Sequence, residues 1–419
     1  MSECPGNPKT LEEVDIFAPE TIENWYPTYD LLRQEAPIYH VPDTQTYFLT
    51  RYEDIYHVLR KTDIFRRGAG TSRPLLSDSK ALQIFKEHGW PKQSILGSNP
   101  PEHRRYRDMV DHFFSVIGAE KQTSLIKGVV NKLIDVWIDD GEVEYVKMFA
   151  EPLPSMVITM MMGFPLDDLG KLKIWSEAWV APFSLQLDAE QEREAAQHMV
   201  DFQHYIHSHI LDRRKNPRED VVSYLVSNPV KLHSGTRMLT DIEIINMIDH
   251  LYIGGNETTT FALTSGLWLL IQNPSIQTEL RATPHKARSF VEEVLRLESP
   301  TQGMDRHAAE DTEINGVRIP KGSHIHMRYA AANRDDRQFS CPMDIDVDRE
   351  NAHKHLAFSL GETHCPGAGL TRLEQTIAVQ TLLERIENFA FSAGKNDFQH
   401  HLNFTLRSFT NLHMTFDKR

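Results

Sequence analysis

The stretch Phe358-Ser359-Leu360-Gly361-Glu362-Thr363-His364-Cys365-Pro366-Gly367-Ala368-Gly369-Leu370 decides how this chain is read. Pro366 suits the first position of a helix, where a missing N–H costs nothing and a fixed φ is already helical. Cys365 is then expected at the N-cap of that helix, where free N–H groups and the positive dipole end favour a thiolate. A metal-ligating cysteine needs such surroundings. Gly361 and Gly367 would let backbone approach the sulfur, and Phe358 would shield it from water, which otherwise alters the potential of a bound metal. A lone cysteine is more often buried and inert. The flanking residues are what turn this one toward a ligand.

Upstream, Thr240-Asp241-Ile242-Glu243 is a capping-box pattern, and no proline follows until Asn273-Pro274. A helix is therefore predicted from about Asp241 to Gln272, roughly 48 Å long at 1.5 Å per residue. Its apolar character places it centrally in the fold. Within it, Gly254-Gly255-Asn256-Glu257-Thr258-Thr259 works against the helix, since each mid-helix glycine costs about 1 kcal/mol relative to alanine. Something must approach closely there. The Thr258 hydroxyl can bond back to the carbonyl of Gly254, opening a notch for dioxygen and water, with Glu257 beside it for proton supply. Tight packing against a neighbouring helix explains the glycines equally well.

Other signals are weaker alone. Glu293 and Arg296 share a helix face and can pair. Pro100-Pro101-Glu102-His103-Arg104-Arg105-Tyr106-Arg107 sets His103 and Arg107 one turn apart, suited to paired carboxylates, although a solvated basic helix start is the commoner case. Two places read as strands: Ile38–Val41 with Tyr47–Thr50 around Pro42-Asp43, and Glu313–Ile319 around Asn315-Gly316. No internal repeat or low-complexity tract occurs. Mostly α structure with small peripheral β-sheets follows.

Composition narrows the function. The chain has 419 residues with 40% hydrophobic and 25% charged residues, and a net charge of -14. That is ordinary for a globular protein, and the acidic balance argues against general affinity for nucleic acid or anionic membrane. The start, Met1-Ser2-Glu3-Cys4-Pro5, lacks the pattern of a signal peptide. The longest strongly apolar stretch, around Phe261–Ile271, is about half the roughly 20 residues a span needs. Cys4, Cys341 and Cys365 are far apart and odd in number, as in a reducing compartment. A cytoplasmic protein without a membrane anchor is expected.

In order and spacing, these elements resemble the cytochrome P450 family from about Pro27 onward. The cysteine loop is the specific part, joined by the Gly-Gly-x-Glu-Thr helix, the Glu-x-x-Arg helix, the hairpin leading to Val317-Arg318-Ile319-Pro320-Lys321-Gly322, and Ala332-Asn333-Arg334-Asp335. The resemblance implies one domain over residues 1–419, residues 1–25 forming an extended N-terminal segment. It further implies a triangular helical fold with haem b between the long central helix and the cysteine helix. By the same resemblance Cys365 is the iron ligand, and Thr258 with Glu257 is the catalytic alcohol–acid pair. His103, Arg107, Arg306 and His355 look like the propionate contacts, while Gly254, Phe358, Gly361 and Gly367 line the cofactor. Glu293, Arg296 and Arg349 resemble a buried structural triad. Two departures stand out: Thr363 occupies the place of a usual His or Arg, with His364 after it, and Ser359 replaces a common glycine.

The activity so implied is a monooxygenase using O2 to hydroxylate or oxidatively dealkylate a small to medium, largely apolar substrate. Electrons from NAD(P)H are expected through a separate ferredoxin and ferredoxin reductase, because little chain follows the cysteine helix. Arg104, Arg105, Lys354 and Arg372 are expected to form a positive docking patch for that partner. The segment before Pro100, Trp175, Trp179, Phe183, Leu251, Gly254, Thr301 to Met304 and Phe409 are expected to line the substrate pocket. Two rival readings are a haem-binding sensor or carrier without turnover, and a zinc protein using His353, His355, His364 and Cys365. The Glu257–Thr258 pair argues against the first. The lack of a further metal motif argues against the second.

Overall fold

Thr240 and Glu243 cap each other as their spacing predicts: the Thr240 hydroxyl accepts from the Glu243 N–H, and the Glu243 carboxylate accepts from the Thr240 N–H at 2.8 Å. The helix they start runs unbroken over Asp241–Gln272 in the computed structural model, which describes residues 8–68, 76–184 and 187–419. It is buried along most of its length, from Ile244 to Ile271. Around it pack the helices Pro152–Met162, Ala189–Lys215, Ala287–Leu297 and Ala368–Arg385. A helix so enclosed is a rigid rail, and its side chains hold their positions for the site.

The sheets are small. Ile38–His40 and Thr46–Leu49 pair antiparallel as expected, and Thr312–Ile314 pairs with Val317–Ile319 across Asn315 and Gly316, which both take positive φ. That is the backbone an Asn-Gly hairpin turn requires. The first hairpin grows into a five-stranded sheet by adding His324–Met327 in parallel, then Met304–Ala308 and Phe65–Arg66. A three-stranded sheet of Glu142–Glu144, Ile386–Phe391 and His413–Lys418 lies near the C-terminus.

Of the segment expected to be extended over residues 1–25, residues 1–7 lie outside the described residues, and the rest is partly helical. Leu11–Glu13 and Pro19–Glu23 are short helices, and Ile16, Ile22 and Trp25 are buried against Tyr29, Phe48 and Phe404. Pro19 at the first helical position starts the second of these. Burial of these apolar side chains is what fixes the segment.

Behind the central helix, Glu293, Arg296 and Arg349 form one buried network. Arg296 donates to both Glu293 oxygens at 2.6 and 2.9 Å and to the carbonyls of Asn333, Pro342 and Asp344. Arg349 Nε donates to Glu293 at 3.1 Å. Glu293 and Arg296 are each 0% exposed. The pair therefore cannot be worth only the few tenths of a surface pair, because every member depends on the others to offset its desolvation.

Candidate active site around Cys365

The helix after the cysteine begins at Ala368 with Gly367 as its N-cap, so Cys365 precedes the cap by two residues and does not occupy it. The environment also differs from the thiolate-favouring one expected, because burial is its largest influence on the sulfur. The Cys365 N–H donates to the Phe358 carbonyl at 2.9 Å. Burial pushes the thiol up, opposed by the amides of Gly367 and Ala368 and the charges of Arg107 and Arg372. A bound metal ion would deprotonate it outright. Glycine is needed nearby for close approach at Gly369, where a Cβ would meet the Phe114 carbonyl at 2.9 Å. Ser359 does sit in the left-handed region at φ 59°, where glycine is easier, and its hydroxyl accepts from Tyr329 at 3.2 Å.

Cys365 opens onto a cavity of about 1090 Å3. Phe358, Gly367 and Leu370 belong to the same wall segment, and Leu251, Gly254 and Thr258 are contributed by the central helix. The volume exceeds the roughly 300–1,000 Å3 usual for one drug-sized ligand.

The two helix glycines have different causes. A Cβ on Gly254 would meet nothing within 4 Å, whereas one on Gly255 would press on Ile158 Cδ1 at 3.3 Å. Gly254 faces the cavity, and Gly255 serves packing against Pro152–Met162. The Thr258 hydroxyl donates to the Gly254 carbonyl at 2.9 Å, as the spacing predicts, without breaking the helix. Glu257 does not line the cavity. It turns toward the helix Leu169–Val180, where the Ser176 hydroxyl donates to it at 3.0 Å. Burial pushes its carboxyl up to about 7, outweighing the Ser176 bond.

Basic residues converge at the cysteine loop. Arg107 Nη1 donates to the His364 carbonyl at 2.6 Å, and Arg306 Nη2 to the Thr363 hydroxyl at 3.1 Å. Arg67, which nothing in the sequence singles out, donates to the Thr363 carbonyl at 3.0 Å. All three line the cavity. Burial, then repulsion by Arg306 and Arg107, pulls Arg67 down to about 10. His103 is 1% exposed beside this cluster, and neither ring nitrogen bonds a side chain. Like charges gathered on one wall fit an anionic group with two carboxylates, and a cysteine sulfur facing the same space fits iron, so these residues suit haem, whereas His103 lies outside the cavity lining.

Several expected assignments are corrected. His355 does not face the cavity: its Nε2 is 3.0 Å from Glu292, and burial pulls the imidazole down. Arg372 shares that carboxylate at 2.6 Å and lies over the Phe358 ring. Arg372 is thus engaged, Arg104 is paired with Asp108 at 2.8 Å, and half of the expected docking patch is neutralised. Gly361 is outside the cavity lining and takes φ 70°, so it serves the loop's turn. Among the described residues no three His, Cys, Asp or Glu side chains gather to hold a metal, so the zinc reading of His353, His355, His364 and Cys365 is not favoured. Phe183, Leu251, Gly254, Thr301 and Met304 line the cavity, but Trp175, Trp179 and Phe409 do not. Trp175 instead packs on Phe202 at 5.7 Å, and Phe409 on Trp268 at 5.3 Å.

The model of the cytochrome P450 family matches residues 33–408. The chain is 30% identical over 364 residues to cytochrome P450 109 of Bacillus spizizenii, covering 85% of this chain and 83% of that protein. It is also 30% identical over 400 residues to the biotin biosynthesis cytochrome P450 of Bacillus subtilis, covering 95% and 98%. Among solved structures, P450BioI in complex with hexadec-9Z-enoic acid ligated acyl carrier protein matches with a TM-score of 0.84 at 30% identity, covering 95% of this chain and 99% of that one. Cytochrome P450 CREJ in complex with (4-ethylphenyl) dihydrogen phosphate matches with a TM-score of 0.87 at 25% identity, covering 96% and 98%. The chain belongs to the cytochrome P450 family. It is an oxidoreductase of the haem-thiolate monooxygenase class, using haem b, O2 and electrons from redox partners on a small molecule. Among the described residues, no helix is long and apolar enough to cross a membrane.

Proposed function

We propose that this monooxygenase oxidises an unactivated C–H bond of a small to medium, largely apolar substrate held between the central helix and the cofactor. The observation that carries this is one cavity reached both by Cys365 and by Gly254 and Thr258. Cys365 would hold the iron, and Arg67, Arg107 and Arg306 the propionates. The bound haem supplies O2 activation through its thiolate ligand. The Thr258 hydroxyl, already directed at the Gly254 carbonyl, holds a proton at the cavity wall. Glu257, poised near neutrality on the far side of the helix, passes protons inward. Electrons would come from a ferredoxin and its reductase. The solved relatives' ligands, a fatty acyl chain on a carrier protein and an aryl phosphate, support an apolar body as the oxidised part.

The test is Thr258→Ala. Product formed per NAD(P)H consumed is expected to fall by about 10-fold or more, the scale of general acid–base contributions, with the difference appearing as peroxide. Full coupling in the variant would remove Thr258 from the role. A sensor or carrier would consume no NAD(P)H in a substrate-dependent way.

A further inference from the structure

The cavity wall carries the cations Arg67, Lys86, Lys92, Arg107 and Arg306, and its only carboxylate among the described residues is Asp305. The three arginines are tied to the cysteine loop or its neighbours and match the two propionates of the reading above. Asp305 lies next to Arg306 and 3.7 Å from His326 Nε2. Lys92 belongs to neither group.

Lys92 lies in the segment joining the helices Ser79–His88 and Glu102–Asp108. Its Nζ stands 3.6 Å from the Trp179 ring centroid, 5.1 Å from that of Phe85 and 3.6 Å from the Met199 sulfur. Among the described residues no carboxylate reaches ion-pair distance. Asp249 of the central helix is close enough to influence it, yet Asp249 Oδ2 makes no hydrogen bond. Burial pushes Asp249 up, and the charge of Lys92 opposes that shift. Aromatic faces and a thioether can position a cation without neutralising it. Lys86 lines the same cavity. So does His250, one turn before Gly254.

We propose that the substrate is an amphiphilic anion, its apolar body lying along the central helix and its single carboxylate or phosphate head seated on Lys92, beside Phe85 and Lys86 of the cavity wall. This rests on the monooxygenase reading of the cavity and names its substrate class. A cation exposed on the cavity wall, with no carboxylate among the described residues at ion-pair distance, favours an anionic head group over a neutral one.

The holoenzyme decides the matter by optical spin-state titration, with Trp fluorescence quenching as a second readout. The probes are dodecanoic acid, dodecyl phosphate and dodecan-1-ol, which share one chain and differ in head group. At least one anion is expected to bind about 10-fold or more tighter than the alcohol. Lys92→Gln should erase that preference while changing alcohol binding by no more than about twofold, and Lys92→Arg should restore most of it. Whichever anion binds better identifies the head group. The proposal is overturned if the alcohol matches both anions, if neither anion binds, or if Lys92→Gln keeps the preference, as it would were Lys92 only an internal partner of Asp249. The wild-type comparison stands whether or not a variant folds. The ferrous carbon monoxide spectrum of the same preparation separates the two failures: a normal thiolate spectrum without anion preference ends this inference alone.

Discussion

Around Cys365, most of the defining contacts are made within one stretch of chain: the N–H to the Phe358 carbonyl, the amides of Gly367 and Ala368 toward the sulfur, the turn at Gly361. At Lys92, the neighbours Phe85, Trp179, Met199 and Asp249 come from four separated segments. The first environment is set by local backbone geometry and can be carried intact into many pockets. The second exists only when four helices have packed. A family can therefore keep its chemistry in the loop while each member resets its specificity on the opposing elements.

The contrast is broken most severely by removing what holds the loop's support in place. Glu293→Ala would leave the Arg296 and Arg349 guanidinium groups buried without their carboxylate, a loss of about 3–5 kcal/mol. Chemical denaturation of the holoenzyme measures it. A loss below about 1 kcal/mol would mean the network is as dispensable as an exposed ion pair.

The two helix glycines sharpen the contrast at intermediate scale. Gly255→Val should cost about 1–3 kcal/mol by overpacking, because its Cβ would already press on Ile158. Gly254→Val should spare stability by comparison and instead weaken ligand-induced spin shifts, since its Cβ points into open space. Equal stability losses would contradict the division of roles.

Sequence reached these features unevenly. The central helix was legible to its ends because the capping box at Thr240 and the stop at Asn273-Pro274 are local signals. The Thr258–Gly254 hydrogen bond and the Glu293–Arg296 pair were legible for the same reason. Arg67, Lys92 and His250 were not, because each is brought to the cavity wall by packing between distant segments. His355 illustrates the reverse error: its position in the loop suggested a propionate contact, but Glu292 from another helix captures it. Strands such as His324–Met327, paired in parallel with Thr46–Leu49, carry no turn signal and were missed.

The subtlest effect is a slope. Glu257 titrates at about 7 in the fold against 4.5 ordinarily, so the folded state binds its proton more tightly than the unfolded one. Stability from this group is present below about pH 4.5 and is lost as pH rises toward 7. Glu257→Gln, which cannot ionise, should gain on the parent protein across that window and hold a constant difference above it. Thermal unfolding from pH 4.5 to 8 checks this, and a difference independent of pH would place Glu257 in contact with water.

The central claim is that Cys365 supplies a thiolate to haem iron. The ferrous carbon monoxide spectrum of the purified holoenzyme and of Cys365→Ser tests it most directly, since only a thiolate ligand has the donor strength to shift the Soret band far to the red. The red-shifted band should be present in the parent protein and absent in the variant. Its survival in Cys365→Ser, or its absence from a correctly folded, haem-loaded parent, would contradict the account.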